Sequence, residues 1–370
     1  MQTQQTLNAG SGSFATGRLH SIGCRARCGY HGPLIGLWRS ALTCLRERRC
    51  AAVRIAAVLL LLGPSVTGWA QDAYPSRPVR LVVPFPPGGS TDNLARVVVP
   101  RLIPILQQQV IIDNRGGAAS NIGTDLVAKA APDGYTVGLF DTAFVINPTL
   151  YAKLPFDPLR DFRVVMVVAT GPSVLVVHPS LGVSTVKELV ALAKAKPGAL
   201  TFASAGAGTA IHLSGEMFKV AAGINLLHVP YKGAGPAITD VVAGQVHMMF
   251  AQPGTVLGQV SANRMRAIAM NGDQRWSGMP NVPTFAEAGV PGMETSSVWQ
   301  VMVPAGTPAS VIAVLQSALQ RAIAAPEIRD RLAELCYFIV AADPEKSAAI
   351  IRGYIEKWGR AVKASGARAE

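Results

Sequence analysis

Four short stretches of this chain place glycine, hydroxyl or basic residues where an apolar run gives way to a helical pattern. The first is Val83-Pro84-Phe85-Pro86-Pro87-Gly88-Gly89-Ser90-Thr91-Asp92-Asn93. A strand ends there, two prolines stiffen the exit, and two glycines permit close backbone approach. Ser90 or Thr91 can cap the helix that follows, and Asp92 falls in its first turn. The free N–H groups and partial positive charge of a helix start suit an anion, although an ordinary strand-to-helix turn has the same residues. The second stretch, Ala203-Ser204-Ala205-Gly206-Ala207-Gly208-Thr209-Ala210-Ile211-His212, repeats the design. It lacks the third glycine of a dinucleotide loop and the lysine of a P-loop, so it does not imply a nucleotide phosphate. The third runs from Val229 to Ala237 and offers Lys232 to a carboxylate or to solvent. The fourth, Phe250-Ala251-Gln252-Pro253-Gly254, also ends a strand. In open α/β sheets, ligands lie beyond the carboxyl ends of strands, and all four stretches meet that condition.

Catalytic and metal-binding patterns are sparse. Ser204 has Phe202 where a nucleophile elbow needs glycine, and no H-E-x-x-H occurs. Beyond residue 70 the histidines are 178, 212, 228 and 247, none with a partner at metal-ligand spacing. No metal and no cofactor is expected. A hydrolase using Ser204 or Ser90 with His212 is the enzyme alternative, and its mark would be turnover lost on His212→Ala. His212 reads otherwise as a structural hydrogen-bonding group, and Cys336 as a buried apolar side chain.

The elements that must position these loops follow from periodicity. Apolar runs at 79–85, 110–113, 136–140, 164–169, 174–177, 200–204, 226–229, 247–250, 265–270 and 298–303 read as buried strands. Helical spacing marks 92–107, 185–195, 210–221, 236–243 and 308–324. The last 70 or so residues read as mainly helical, with Lys357, Arg360 and Lys363 on a solvated face. This alternation predicts an α/β fold with parallel sheets covered on both faces. Glycine-rich joins far apart in sequence, with possible crossings near 163–173 and 298–307, predict two lobes. They are expected to be 71–172 plus 297–370, and 173–296.

Residues 1–70 stand apart. Arg46, Arg48, Arg49 and Arg54 precede an apolar run at 55–62, then Gly68 and Ala70 at positions −3 and −1 of an expected cut. That order is a secretory signal over about 46–70, too short in its apolar part for a spanning helix. The polar stretch upstream, with Cys24, Cys28 and Cys44, suggests a true start downstream of residue 1. Residues 1–70 hold eight Arg and one Glu, so their removal takes the net charge from +12 to +5. A mild positive balance without a basic, aromatic-interleaved stripe suits small anions and excludes a nucleic-acid reading.

Together these loops resemble the tripartite tricarboxylate transporter substrate-binding family, also called the Bug family. The resemblance rests on residues 83–92, on Asn114-Arg115-Gly116-Gly117 with Asn121-Ile122-Gly123, and on 130–136. It continues through Ile146-Asn147-Pro148, His212-Leu213-Ser214-Gly215-Glu216, His228–Gly233, Val282-Pro283-Thr284 and 304–308. It implies a type II periplasmic-binding-protein fold, with a ligand cleft between two lobes that close on a small carboxylate. It implies export to the periplasm, action as a monomer, and delivery to the permease subunits of a tripartite transporter. Presentation of the ligand to a membrane sensor is the alternative use of the same lobes. By position, the implied ligand-binding set is Phe85, Gly88, Gly89, Ser90, Thr91, Asp92, Thr142, Ala143, Ser204, Ala205, Gly206, Gly208, Thr209, His212, Lys232 and Ala251. Many relatives have an Asp at the Ala251 position that can face a ligand's amino group. Its absence favours a plain carboxylic acid over aspartate or glutamate.

Overall fold

The computed structural model describes residues 74–367; the expected leader, its cysteines and its cleavage site lie outside the described residues. The chain forms β1 (Val79–Val83), α1 (Ser90–Leu106), β2 (Val110–Asn114), α2 (Asn121–Ala128), β3 (Thr136–Phe140), α3 (Ala143–Leu150) and β4 (Phe162–Gly171). It continues with β5 (Val174–Val177), α4 (Val186–Ala195), β6 (Thr201–Ser204), α5 (Ala210–Ala222), β7 (Leu227–Pro230), α6 (Ala234–Val242), β8 (Met248–Ala251), α7 (Pro253–Ser261) and β9 (Arg266–Met270). β10 (Ser297–Pro304), α8 (Ala309–Ala324), α9 (Pro326–Glu334), β11 (Phe338–Ile339) and α10 (Pro344–Ser365) complete it.

Two sheets organise these elements. One has the order β11-β4-β10-β3-β1-β2 and the other β7-β6-β8-β5-β9. β-Branched residues set their cores, because alternate side chains leave a strand on opposite faces. In β1, Val79, Leu81 and Val83 join an aliphatic layer with α1 and α8, while Val82 joins Phe140, Phe144 and Phe162 on the other face. In β5, Leu175 and Val177 face Phe218, Phe250 and Phe285; Val174 and Val176 face Val241, Met249 and Val256.

The sheets are mixed, which corrects the expectation of parallel ones. β1 pairs in parallel with β2 and β3, and β6 with β7 and β8. β10 is antiparallel to β3 and β4, and β5 is antiparallel to β8 and β9. The cause is the passage between sheets. β4 runs into β5 with only Pro172 and Ser173 between them. β5 and β10 each enter their sheet from the other one, at the end where β8 and β3 finish, so they run against those neighbours.

Each sheet reverses its strand order beside a central strand. β1 lies between β2 and β3, and β6 between β7 and β8. These are topological switch points, where a crevice opens beyond the strand ends. The loops after β1, β3, β6 and β8 all leave from them.

The aromatic trio Phe218, Phe250 and Phe285 has ring centroids 5.4–6.2 Å apart and holds α5 on the second sheet. Phe218 is fully buried. Phe218→Ala is therefore expected to lower the unfolding free energy by about 3–5 kcal/mol, as read by urea denaturation.

Candidate functional site

The loops from both switch points line one cleft. Phe85, Gly89, Ser90, Thr91 and Asp141 come from the first sheet. Ala205, Thr209, Ala210, Ile211, Ala234 and Gln252 come from the second. Ser173, Ser297 and Trp299, at the passages between sheets, complete the wall. The cavity is about 40 Å³, enough for a few waters, because the loops of the two sheets meet over it. A Cβ on Gly233, whose φ is +142°, would come 2.8 Å from Pro86 Cδ, and one on Gly235 would come 3.1 Å from Pro87 O. A cavity of the same volume inside the first core is lined by aliphatic side chains alone and offers an anion no donor.

In the first loop the side chains hold the backbone still. Asp92 is 1% exposed and accepts from the Gly88 N–H at 3.0 Å, Arg96 Nε at 2.8 Å and Asn114 Nδ2 at 3.0 Å. Burial opposes its charge, but these bonds outweigh burial and hold the carboxyl below its ordinary value. Asn114 Nδ2 also donates to Phe85 O, and Tyr337 Oη donates to Ser90 O at 2.6 Å. The first helical bond of α1 runs from Asn93 N to Gly89 O at 2.9 Å. No described residue accepts from the N–H groups of Ser90 or Thr91, and both residues line the cleft.

The second loop is built the same way with different side chains. Ser204 Oγ lies 2.6 Å from His228 Nε2 and accepts from the Gly206 N–H at 3.1 Å. His212 Nδ1 accepts from the Gly208 N–H at 3.2 Å. Thr209 Oγ1 donates to Gly206 O at 2.8 Å and caps α5 by accepting from His212 N at 3.4 Å. The rings of His212 and His228 stack with centroids 4.2 Å apart, and Phe202 stacks on His228 at 4.8 Å. Burial pushes both histidines down to about 4, so they stand as neutral pillars beneath the loop. The N–H groups of Ala210 and Ile211 have no acceptor among the described residues, and they too line the cleft.

The sequence-expected residues therefore divide. Phe85, Gly89, Ser90, Thr91, Ala205 and Thr209 line the cleft. The other expected ligand-binding residues are placed as follows. Gly88 and Asp92 bond to each other. Ser204, Gly206, Gly208 and His212 form the support just described. Gly208, at φ +99°, turns toward Leu150 and Asn147, 2.7 and 3.0 Å from the position of a Cβ. Thr142 Oγ1 accepts from Val298 N at 2.9 Å, and the Ala143 N–H donates to Asp141 Oδ1 at 2.9 Å. Lys232 is exposed outside the cleft. Ala251 is fully buried among Val174, Met270 and Cys336. The Ser204–His212 pair of the hydrolase alternative is not formed, since Ser204 Oγ bonds His228 and is buried.

Asp141, Ser173, Ala210, Ile211, Ala234, Gln252, Ser297 and Trp299 were not among the expected residues. The rule that places ligands beyond strand ends points to Asp141 and Gln252, each the first residue after a strand. No sequence signal marks Ser297 or Trp299, which line the cleft from the start of β10.

Comparison with known proteins follows this geometry. Residues 94–367 match the family model described as tripartite tricarboxylate transporter family receptor. A UPF0065 protein from the tcbD-tcbE intergenic region of Pseudomonas sp. (strain P51) is 41% identical over 292 residues, 79% of this chain and 87% of that protein. The structure of periplasmic binding protein BugD is 34% identical, covers 80% of this chain and 100% of its own, and superposes with TM-score 0.77. The structure of an R. palustris protein with adipate is also 34% identical, with the same coverages and TM-score 0.78.

The depressed histidines carry a pH prediction. An unfolded chain takes protons on His212 and His228 near pH 6.5, whereas the folded protein resists until about 4. Between those values the unfolded state binds more protons, so stability falls as pH falls. The expected loss from pH 6.5 to 4 is roughly 3 kcal/mol from His212, with a smaller share from the more exposed His228, measured by urea denaturation along a pH series. His228→Gln is expected to flatten that slope.

Proposed function

Because the chain belongs to the tripartite tricarboxylate transporter receptor family, we propose that it captures a small carboxylate in this cleft and hands it to the permease subunits of such a transporter. One observation carries the reading. Two helix starts, one from each sheet, carry unbonded N–H groups at Ser90, Thr91, Ala210 and Ile211, and all four residues line a single cavity. Helix N-termini are favourable to anions through both these donors and the helix dipole. The adipate held by the R. palustris relative is of the same chemical class. Lobes of 71–172 plus 297–370 and of 173–296 would part to admit the ligand, since the cavity of about 40 Å³ is smaller than a dicarboxylate. Asp92, Ser204, His212 and His228, close to the donors, brace the backbone, which supports binding and release without turnover. The protein acts as a monomer in the periplasm, exported by the segment at 46–70.

Affinity should follow the backbone more than any side chain. A Cβ on Gly89 meets only Ala234, at 3.9 Å, so Gly89→Val leaves the fold in place and puts a branched group into the cleft. It is expected to weaken carboxylate binding by more than about 100-fold. Thr91→Val removes one hydroxyl bond of roughly 1.5–3 kcal/mol to a charged group, a loss of about 10- to 100-fold. Calorimetry with ligands found by thermal-shift screening measures both; a carboxylate at 100 times its Kd adds about 2.7 kcal/mol of stability. Folded Gly89→Val protein that binds as tightly as the parent would refute the two-helix site. Export is tested by intact mass, with a mature chain expected to begin at Gln71.

A further inference from the structure

Anion capture by main-chain N–H groups accounts for the donors of the cleft and leaves its acceptors unexplained. Asp141 lines the cleft beside Ser90 and Thr91. Its Oδ1 accepts from the Ala143 N–H, and no described residue donates to Oδ2. No charged side chain stands near enough to offset it; burial pushes the carboxyl up to about 7, opposed only by main-chain N–H groups. Gln252 reaches the same cleft from the second sheet. Its Nε2 donates to Leu335 O and Cys336 O, which fixes the amide orientation. Gln252 is 6% exposed, and its buried Oε1 has no donor among the described residues.

A plain anion leaves these acceptors unanswered. An ionised Asp141 repels a bound carboxylate and a protonated one spends its single proton on it; in either state the Gln252 oxygen is left without a donor, which costs free energy on burial. Both costs reverse for a ligand that carries a hydrogen-bond donor near its acid group. A protonated amine answers best, because it neutralises Asp141 while bonding Gln252 Oε1; a hydroxyl supplies the bond without the charge.

Resting on the carboxylate reading of the cleft, we propose that Asp141 and Gln252 form an acceptor subsite that selects acids bearing a donor substituent, a protonated amine above all. The subsite lies at the ends of β3 and β8, one residue from each sheet, so it is completed only when the lobes meet. This reverses the preference for plain acids expected from Ala251, because the carboxylate that matters stands on the other lobe.

The test is a set of acids matched in skeleton and differing in one substituent. Succinate, malate and aspartate form one series, and adipate with 2-aminoadipate forms a longer pair. Each is titrated calorimetrically into the mature protein and into Asp141→Asn. The parent is expected to bind the amino member of at least one series tenfold or more tighter than its plain counterpart. Asp141→Asn, whose amide oxygen still accepts from the Ala143 N–H, is expected to erase that advantage and to bind the plain acid several-fold tighter. If Asp141→Asn does not fold, Asp141→Ser takes its place. Plain acids bound as well as their amino counterparts by the parent would overturn the subsite while leaving the carboxylate reading intact. An amino preference unchanged in the variant would overturn the role of Asp141. Binding of no acid in either series would overturn the subsite, and if the wider carboxylate screen is also silent, the carboxylate reading falls with it.

Discussion

A main-chain N–H can hold a ligand only if nothing in the protein takes it first. Ordered loops work against that condition, because their buried N–H groups must find partners. Both loops over this cleft satisfy the two demands by division of labour. Side chains take the N–H groups of Gly88, Gly206 and Gly208, which fixes the loop. The N–H groups two and three residues beyond Gly88 and Gly208 open helices, where the repeating bond pattern leaves them unbonded.

Different chemistry does the bracing on the two sides. On the first sheet a buried carboxylate, Asp92, collects three donors, and its charge is sustained by Arg96 and by polar bonds. On the second, two stacked neutral histidines and Ser204 do the same work without charge. Each solution keeps fixed side chains of the brace below the cavity. The consequence is that the wall in contact with a ligand is mostly backbone and small residues, and the few larger polar groups in it set discrimination rather than affinity.

Much of this could be read from residues alone. The loops at 84–92 and 203–212 announce themselves because a strand pattern, glycines and a capping hydroxyl occur in fixed order, and each of those signals is local. Their pairing across a cleft follows from the rule on strand ends. What escaped was tertiary. Helix α3 is buried on nearly all sides, from Ala143 to Asn147, so it shows no amphipathic period. The direction of β10 depends on how the chain returns between sheets, and with it the exposure of Ser297 and Trp299. Ala251 ends β8 and Asp141 follows β3; tertiary packing puts one in a core and the other in the cavity wall. The large positive-φ loops likewise hid which glycine faces inward: Gly89 does, and Gly208 does not.

Trp299 gives the molecule an internal lamp. Three tryptophans lie among the described residues, and Trp276 and Trp358 sit in apolar clusters away from the cleft. Trp299 alone of the three reaches the cavity wall, edge-on to Tyr337 at 4.8 Å, while its indole Nε1 is buried without an acceptor. Indole emission shifts with the polarity and mobility of its surroundings, so a solute entering between the lobes acts directly on the one of these chromophores that stands in the wall. Occupancy is thereby written into the native fluorescence of the protein, with no dye attached.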